Sequence, residues 1–338
     1  MDTLTLHSVA PQAGVRGGQI ALSCTGVDAQ RLAACGVQFG TALARPLLAS
    51  PTLMLSLVPD ASDAHSVQIV QDEQRSNALP FALATRLADN LHPVASPAVD
   101  ASGTIYSTIS GTKGQHVPVS LYKMTLAGEV TPWLSGIANP TSLAFGPDGL
   151  LYVSSRHEGT VYRIDQRGTV SVFASKLGIA TGLAFDTAGR LYVGDRRGAI
   201  FQVGETGAAR IFARLEPSMT GYHLAFNDEG WLYVSYPTLS GSDQIYRITP
   251  SGEVQIFASG LGRAQGLAFD TAQNLYVVAH TAGAGGVVRI TPAGDLTRII
   301  AGVNLVGLAF NTQGNLILTD NSTVYAIAIG VEGRRLPV

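Results

Sequence analysis

The sequence predicts an all-β protein: a small β-sandwich followed by a six-bladed β-propeller. Two observations predict it. A twelve-residue pattern, seen as GLAFDTAGRLYV at 182–193, returns as SLAFGPDGLLYV (142–153), HLAFNDEGWLYV (223–234), GLAFDTAQNLYV (266–277) and GLAFNTQGNLIL (307–318), with a degenerate copy, SPAVDASGTIYS, at 96–107. Val99, Phe145, Phe185, Phe226, Phe269 and Phe310 then recur at intervals of about forty residues, the period of propeller blades, which must stack to bury their faces. The residues before about 87 lack the repeat and carry a different β-rich pattern, so the boundary is placed between residues 1–87 and 88–338.

In the first segment, short runs (Gln19–Ser23, Gly36–Phe39, Leu53–Val58, Ser66–Val70) alternate with Gly, Pro and Asp turns, as strands of a sandwich do. Cys24 and Cys35 are the only cysteines. Two buried free thiols, behaving as small apolar residues, are expected; pairing across neighbouring strands is the alternative. At the junction, Phe81–Arg86 fits the last strand of the sandwich and also the outermost strand of a blade. Closure of the ring by that segment, or by Arg334–Val338 at the other end of the chain, are both open.

Within each repeat, Gly-Leu-Ala-Phe forms the inner strand and a Gly-bearing turn leads to Leu-Tyr-Val. A third strand follows (Val161–Ile164, Ile245–Ile248, Val287–Ile290), then an outer one such as Val254–Ala258. Alternation places Leu183 and Phe185 on one face and Ala184 on the other, a large-against-small fit between adjacent blades. The recurring Tyr162-Arg163 and Tyr246-Arg247 pairs read as packing plus solvated charge.

Composition excludes several classes. A net charge of −2 with 14% charged residues argues against nucleic-acid binding, for which clustered Lys and Arg are needed. Mean hydropathy is positive, yet the longest apolar stretch, Leu47 to Val58, is broken by Ser and Pro and too short to span a bilayer. The start carries no secretory signal, which points to the cytoplasm, or to secretion or the periplasm if a leader has been removed.

The first segment resembles the IPT/TIG family of Ig-like domains. The features that carry this are Ser-Val-Ala-Pro near the start, Gly17-Gly18, Cys-Thr-Gly at 24–26, Val37-Gln38-Phe39-Gly40 and Val58-Pro59. The repeat over 88–338 resembles those of the NHL family and of the gluconolactonase/senescence marker protein family, six-bladed propellers. The latter resemblance implies lactone hydrolysis with a calcium-like divalent cation, held by a Glu before the first blade and by Asn or Asp just before the inner-strand glycines. Hard cations need such oxygens, and the metal polarises the carbonyl. Here those positions read Ala95, Thr141, Thr181, Tyr222, Gln265 and Val306, without a carboxylate. No cofactor is therefore expected unless a one-residue shift brings Asn139 or Asn304 to the axis. A seven-bladed antibiotic-cleaving lyase family is similar in general kind; His223, His280 and Glu158 would be its analogues, with no spacing to support them.

Residues that break the repeat at one end of the ring are free to serve function. Tyr222-His223 replaces the inner-strand glycine of blade four, and a neutral imidazole can donate, accept or act as a base near pH 7. His280 should lie at the same end. The connections after Leu-Tyr-Val are long in blades one (Ile109–Pro118), four (Tyr236–Asp243) and five (Thr281–Gly286). They give an uneven rim containing Lys113, Gln115, His116, Tyr236 and His280 beside Arg156, Asp195 and Arg263. The expected function is binding of a small molecule or a protein partner at this face. The alternative is a lactone or ester hydrolase with a rearranged site around His223, His280, Asp195 and Asn139.

Overall fold

Strands form where apolar and polar residues alternate. In Ser66–Gln71, for example, Val67, Ile69 and Gln71 are buried and the residues between them are half-exposed. The computed structural model describes residues 3–60, 64–111, 114–115 and 117–334. Their regular elements are all strands apart from one 3-10 turn at Leu32–Ala34, and no helix is long and apolar enough to cross a membrane. The fold is all-β, and the chain divides into two compact units.

The first unit runs to Thr85 and also takes in Thr281–Val288 and Thr297–Asn304. One of its sheets orders Thr5–Ala10, Gln19–Thr25, Leu53–Leu57 and Leu48–Ala49; the other orders Leu79–Pro80, Ser66–Gln71, Cys35–Phe39 and Ala42–Ala44. The strands expected from sequence are thus present with ends shifted by a residue or two. Ile20, Leu22 and Met54 from one sheet share a core with Val37, Phe39, Val67 and Ile69 from the other. Cys24 and Cys35 are free and buried, and burial pushes both thiols up. Ala82–Leu83 pairs in parallel with Ala13–Gly14, whose Gly14 also pairs with Ala301.

The second unit comprises Arg86–His280, Arg289–Leu296 and the chain from Leu305. Its sheets follow the repeat. Ala98–Val99, Ile105–Thr108, Leu121–Met124 and Val130–Leu134 form the first; Pro140–Phe145, Leu151–Ser155, Thr160–Ile164 and Val170–Ala174 the second. The third and fourth begin at Ala180–Phe185 and His223–Phe226, and the next at Leu267–Phe269. The last contains Gly307–Phe310, Asn315–Thr319 and Val324–Ala328. Each inner strand neighbours the next, and the last neighbours the first.

The conserved spacing of Phe and Tyr within the repeat explains how sheets join. Phe145, Phe185, Phe226, Phe269 and Phe310 each meet edge-on the second-strand tyrosine of the preceding sheet, with centroids 4.9 to 5.3 Å apart. Such pairs add about 0.5–1.5 kcal/mol each beyond area burial. Four of those tyrosines (Tyr106, Tyr152, Tyr192, Tyr276) donate their hydroxyl to the aspartate of their own turn. As expected, Leu183 and Phe185 pack with Tyr152, while Ala184 faces the cluster of Leu224 and Phe226.

The ambiguous junction resolves by division. Ala82–Leu83 stays with the first unit, and Thr85–Ala88 becomes the outer strand beside Val324–Ala328. Leu91 N–H donates to Ser322 O at 3.0 Å, and Thr323 Oγ1 to Asp89 at 3.1 Å. The carboxyl segment lies elsewhere: Gly333 bridges Asp270, Arg334 pairs with Asp228, and 335–338 fall outside the described residues.

Candidate functional site

The inner strands of the second unit converge at one end on a cavity of about 200 Å³. Ala95, Thr141, Thr181, Tyr222, Gln265 and Val306 all line it, so the register read from the repeat places every strand entrance at the axis. Local hydrogen bonds fix these entrances. Ser154 Oγ donates to Thr181 O at 2.6 Å, Ser235 Oγ to Gln265 O, and Thr319 Oγ1 to Ala95 O at 3.1 Å. A hydroxyl on one sheet thus occupies the carbonyl of the next, leaving mainly side chains to face the cavity.

Of the residues singled out from sequence, Tyr222, His223, Arg156 and Arg263 line the cavity. Tyr222 is fully buried and donates its hydroxyl to Glu216 O; burial, Asp195 and Glu216 raise its pKa. Gly194 makes room for it, since a Cβ there would lie 2.8 Å from that of Tyr222. Arg156 is half-buried, and burial and the nearby Arg196 guanidinium both act against its charge. Arg263 is exposed in a left-handed backbone, φ 50°.

His223 stands where three other sheets have glycine, and burial lowers its pKa to about 4. Its imidazole has no hydrogen-bond partner among the described residues, and it is neutral at pH 7. Because the unfolded group titrates near 6.5, the unfolded chain binds the extra proton first as pH falls. Stability from this group is complete above about 6.5 and drains away down to about 4, in total on the order of 3 kcal/mol. Urea midpoints measured across that window should fall less steeply in His223→Gln than in the wild type.

The remaining candidates are held in structural roles outside the lining. Asn139 is buried; it accepts from Gly114 N–H at 2.7 Å and donates to Gly111 O at 2.8 Å. Asp195 accepts from Ile179 N–H at 2.9 Å and pairs with Arg197. Tyr236 is packed edge-on against Tyr222 and stacked on Tyr246, and burial and Tyr246 raise its pKa. His280 bridges Gly262 through its backbone, and its Nδ1 is buried without a partner among the described residues. That bridge accompanies a correction. The long connection expected at Thr281–Gly286 is a tight hairpin, because strands Leu275–Thr281 and Ala284–Ile290 run to its tip. Ala282 and Gly283, φ 48° and 80°, supply the two left-handed residues that such a turn demands. His116 and Lys113 lie outside the described residues.

Sequence reasoning missed His92, Thr220 and Asn321, which also line the cavity. His92 and Asn321 come together, His92 Nδ1 lying 3.2 Å from Asn321 O. Both fall outside the twelve-residue pattern, so alignment of the repeats gave no signal for them. The side chains of Thr220, Gln265 and Asn321 have no hydrogen-bond partner among the described residues.

A hard divalent cation does not fit this lining. It offers hydroxyls, amides, imidazoles and guanidinium groups, and neither Asp nor Glu. Among the described residues no group of three or more His, Cys, Asp or Glu is placed to hold a metal.

No protein-family model matches the chain, and no curated protein matches its sequence. Solved structures do resemble it. A gluconolactonase candidate is 18% identical over 75% of this chain and 94% of its own, with a TM-score of 0.63. The calcium-binding protein regucalcin from Agrobacterium tumefaciens is 17% identical over 75% and 96%, at 0.59. An auxiliary nutrient binding protein from Bacteroides thetaiotaomicron is 12% identical over 98% of both chains, at 0.57. At these identities the likeness shows the fold alone: this chain carries a β-propeller of the kind found in gluconolactonase-like and regucalcin-like proteins.

Proposed function

We propose that this protein binds a small molecule, using an IPT/TIG-like Ig sandwich joined to a six-bladed propeller whose axial cavity is the site. One observation carries the reading: every inner-strand entrance contributes to one cavity, and several of its polar side chains have no partner within the described residues. These groups are open to the cavity and not spent on other parts of the protein, so a ligand there can bond them. The full-length likeness to a nutrient binding protein is in keeping with this. The hydrolase reading has His223 in the cavity in its favour. Against it, Asp195 and Asn139 are committed elsewhere, His280 lies outside the lining, and no carboxylate is at hand for a cation.

The test is a thermal-shift screen of small metabolites against the wild type and Val306→Trp, which fills the cavity. A ligand at a hundredfold its dissociation constant stabilises by about 2.7 kcal/mol. Hits that vanish in the variant are expected. Hits that persist in it would place the site elsewhere. Chelator-treated protein titrated with calcium, magnesium, manganese and zinc should show no shift, and a saturable rise with one of them would revive the hydrolase.

A further inference from the structure

Several arginines elsewhere in the propeller are neutralised by carboxylates. Arg190 pairs with Asp186 at 2.7 Å, Arg197 with Asp195 at 3.3 Å, and Arg334 with Asp228. Others are not neutralised, and two of these belong to the cavity. Arg156 and Arg263 line it, and neither forms an ion pair among the described residues. Among the described residues the Arg156 side chain reaches Gly111 O alone, at 3.4 Å, a long contact. Arg196, close enough to oppose the charge of Arg156, binds a neutral carbonyl, Ser218 O, at 3.3 Å. Positive charge therefore gathers at one mouth with no acid in the lining to offset it.

Like charges held together in a partly desolvated site repel, and an arrangement of this sort is relieved when an anion enters. Guanidinium groups suit carboxylate and phosphate because their fixed fork donates two parallel hydrogen bonds. The site is also held ready. Asp243 accepts from Ala264 N–H at 2.9 Å, and Gly262 pairs with His280, so both neighbours of Arg263 are pinned. Thr220, Gln265, Asn321 and a neutral His223 surround the charges with groups that can donate or accept.

We propose that the axial cavity takes a small organic oxyanion, with Arg156 and Arg263 as its counter-charges and the surrounding amide, hydroxyl and imidazole groups reading the rest of the molecule. This rests on the ligand-binding reading above and specifies its ligand class. The volume of about 200 Å³ suits a short-chain acid or a small phosphate ester.

The experiment measures melting temperature at fixed ionic strength with acetate, succinate, glycerol 3-phosphate and inorganic phosphate. Dimethyl succinate serves as the uncharged counterpart. The proteins are the wild type, Arg263→Asn (which keeps a residue tolerant of positive φ), Arg156→Gln, and Arg210→Gln as a control away from the cavity. Saturable stabilisation by at least one anion is expected, with none from dimethyl succinate. Affinity should fall at least tenfold in each cavity variant and stay unchanged in the control. A response to the carboxylates but not the phosphates assigns a carboxylic acid, and the reverse assigns a phosphate ester. Anion binding that keeps full strength in both cavity variants overturns the proposal. So does silence from every anion while a neutral metabolite binds and is blocked by Val306→Trp, an outcome that leaves the cavity as the binding site. Silence from every compound in both experiments sinks the two readings together.

Discussion

Gly307→Ala should destabilise the protein by about 3 kcal/mol or more, lowering the melting temperature by roughly 6 to 12 °C. A Cβ at this position would lie 2.4 Å from Ser96 N and Cα and 2.6 Å from Ala95 C. All of these are backbone atoms at the entrance to the first inner strand, and they cannot yield as the end of a flexible side chain does. The same crowding occurs at Gly182 and Gly266, whose Cβ atoms would meet Tyr222 O at 2.4 Å and Gly307 Cα at 2.6 Å. The glycine of the repeat is thus required where neighbouring inner strands approach closely around the axis, not by an unusual turn. Gly204→Ala is the matched control, because its new Cβ would meet only Ala208 O at 3.7 Å, and its effect should stay within about 0.5 kcal/mol. Equal melting temperatures for the two variants would show that the inner strands can move apart freely.

The second large effect is expected from Asp243→Ala. This buried carboxylate accepts from Thr238 N–H at 2.8 Å and Thr238 Oγ1 at 2.7 Å through one oxygen, and from Ala264 N–H at 2.9 Å through the other. Its removal strands donors in a buried place, at about 1–3 kcal/mol each when unsatisfied. A loss of about 3 kcal/mol or more is therefore expected. Asp243→Asn should recover little of it, since an amide turns one acceptor into a donor facing another donor. The change also releases the segment that carries Arg263 and Gln265. Amide hydrogen exchange across 262–265 should accelerate beyond the global loss of stability, and a ligand held by Arg263 should bind more weakly to the fraction still folded. Unchanged local exchange would mean that the Gly262–His280 bridge alone holds this part of the cavity.

The ring architecture was legible because it is periodic. Phe145 through Phe310 and the Leu-Tyr-Val strands repeat a local pattern whose burial is decided by alternation, and the entrance residues Thr141, Thr181 and Gln265 followed from the same alignment. The candidate site was legible in part, through Tyr222 and His223, which break the pattern, and through Arg156 and Arg263 on the connections. Asn139, Asp195 and Tyr236 break it equally well, yet they turn toward backbone donors or neighbouring rings. Sequence cannot distinguish a polar side chain that faces a cavity from one that satisfies a loop, because that depends on which distant backbone groups arrive beside it. The division of 81–88 was hidden for a related reason. Both halves are short β-prone runs, and the choice between partners at Ala13–Gly14 and at Val324–Ala328 is made by contacts remote in sequence.

The pairing of Thr85–Ala88 with Val324–Ala328 has a consequence for how the chain assembles. The strand that completes the last sheet is made before any of the repeats, and its partner is made only after all of them. Joining ends separated by about 240 residues costs roughly 5 kcal/mol of loop entropy by logarithmic scaling, unless the intervening sheets have already stacked and brought those ends together. Folding should then proceed as sequential growth ending in a late latching step, with the apolar face of Leu87 and Leu91 uncovered until Val324–Ala328 has been made. That interval is the time at which a nascent chain of this kind most needs protection from association with its neighbours.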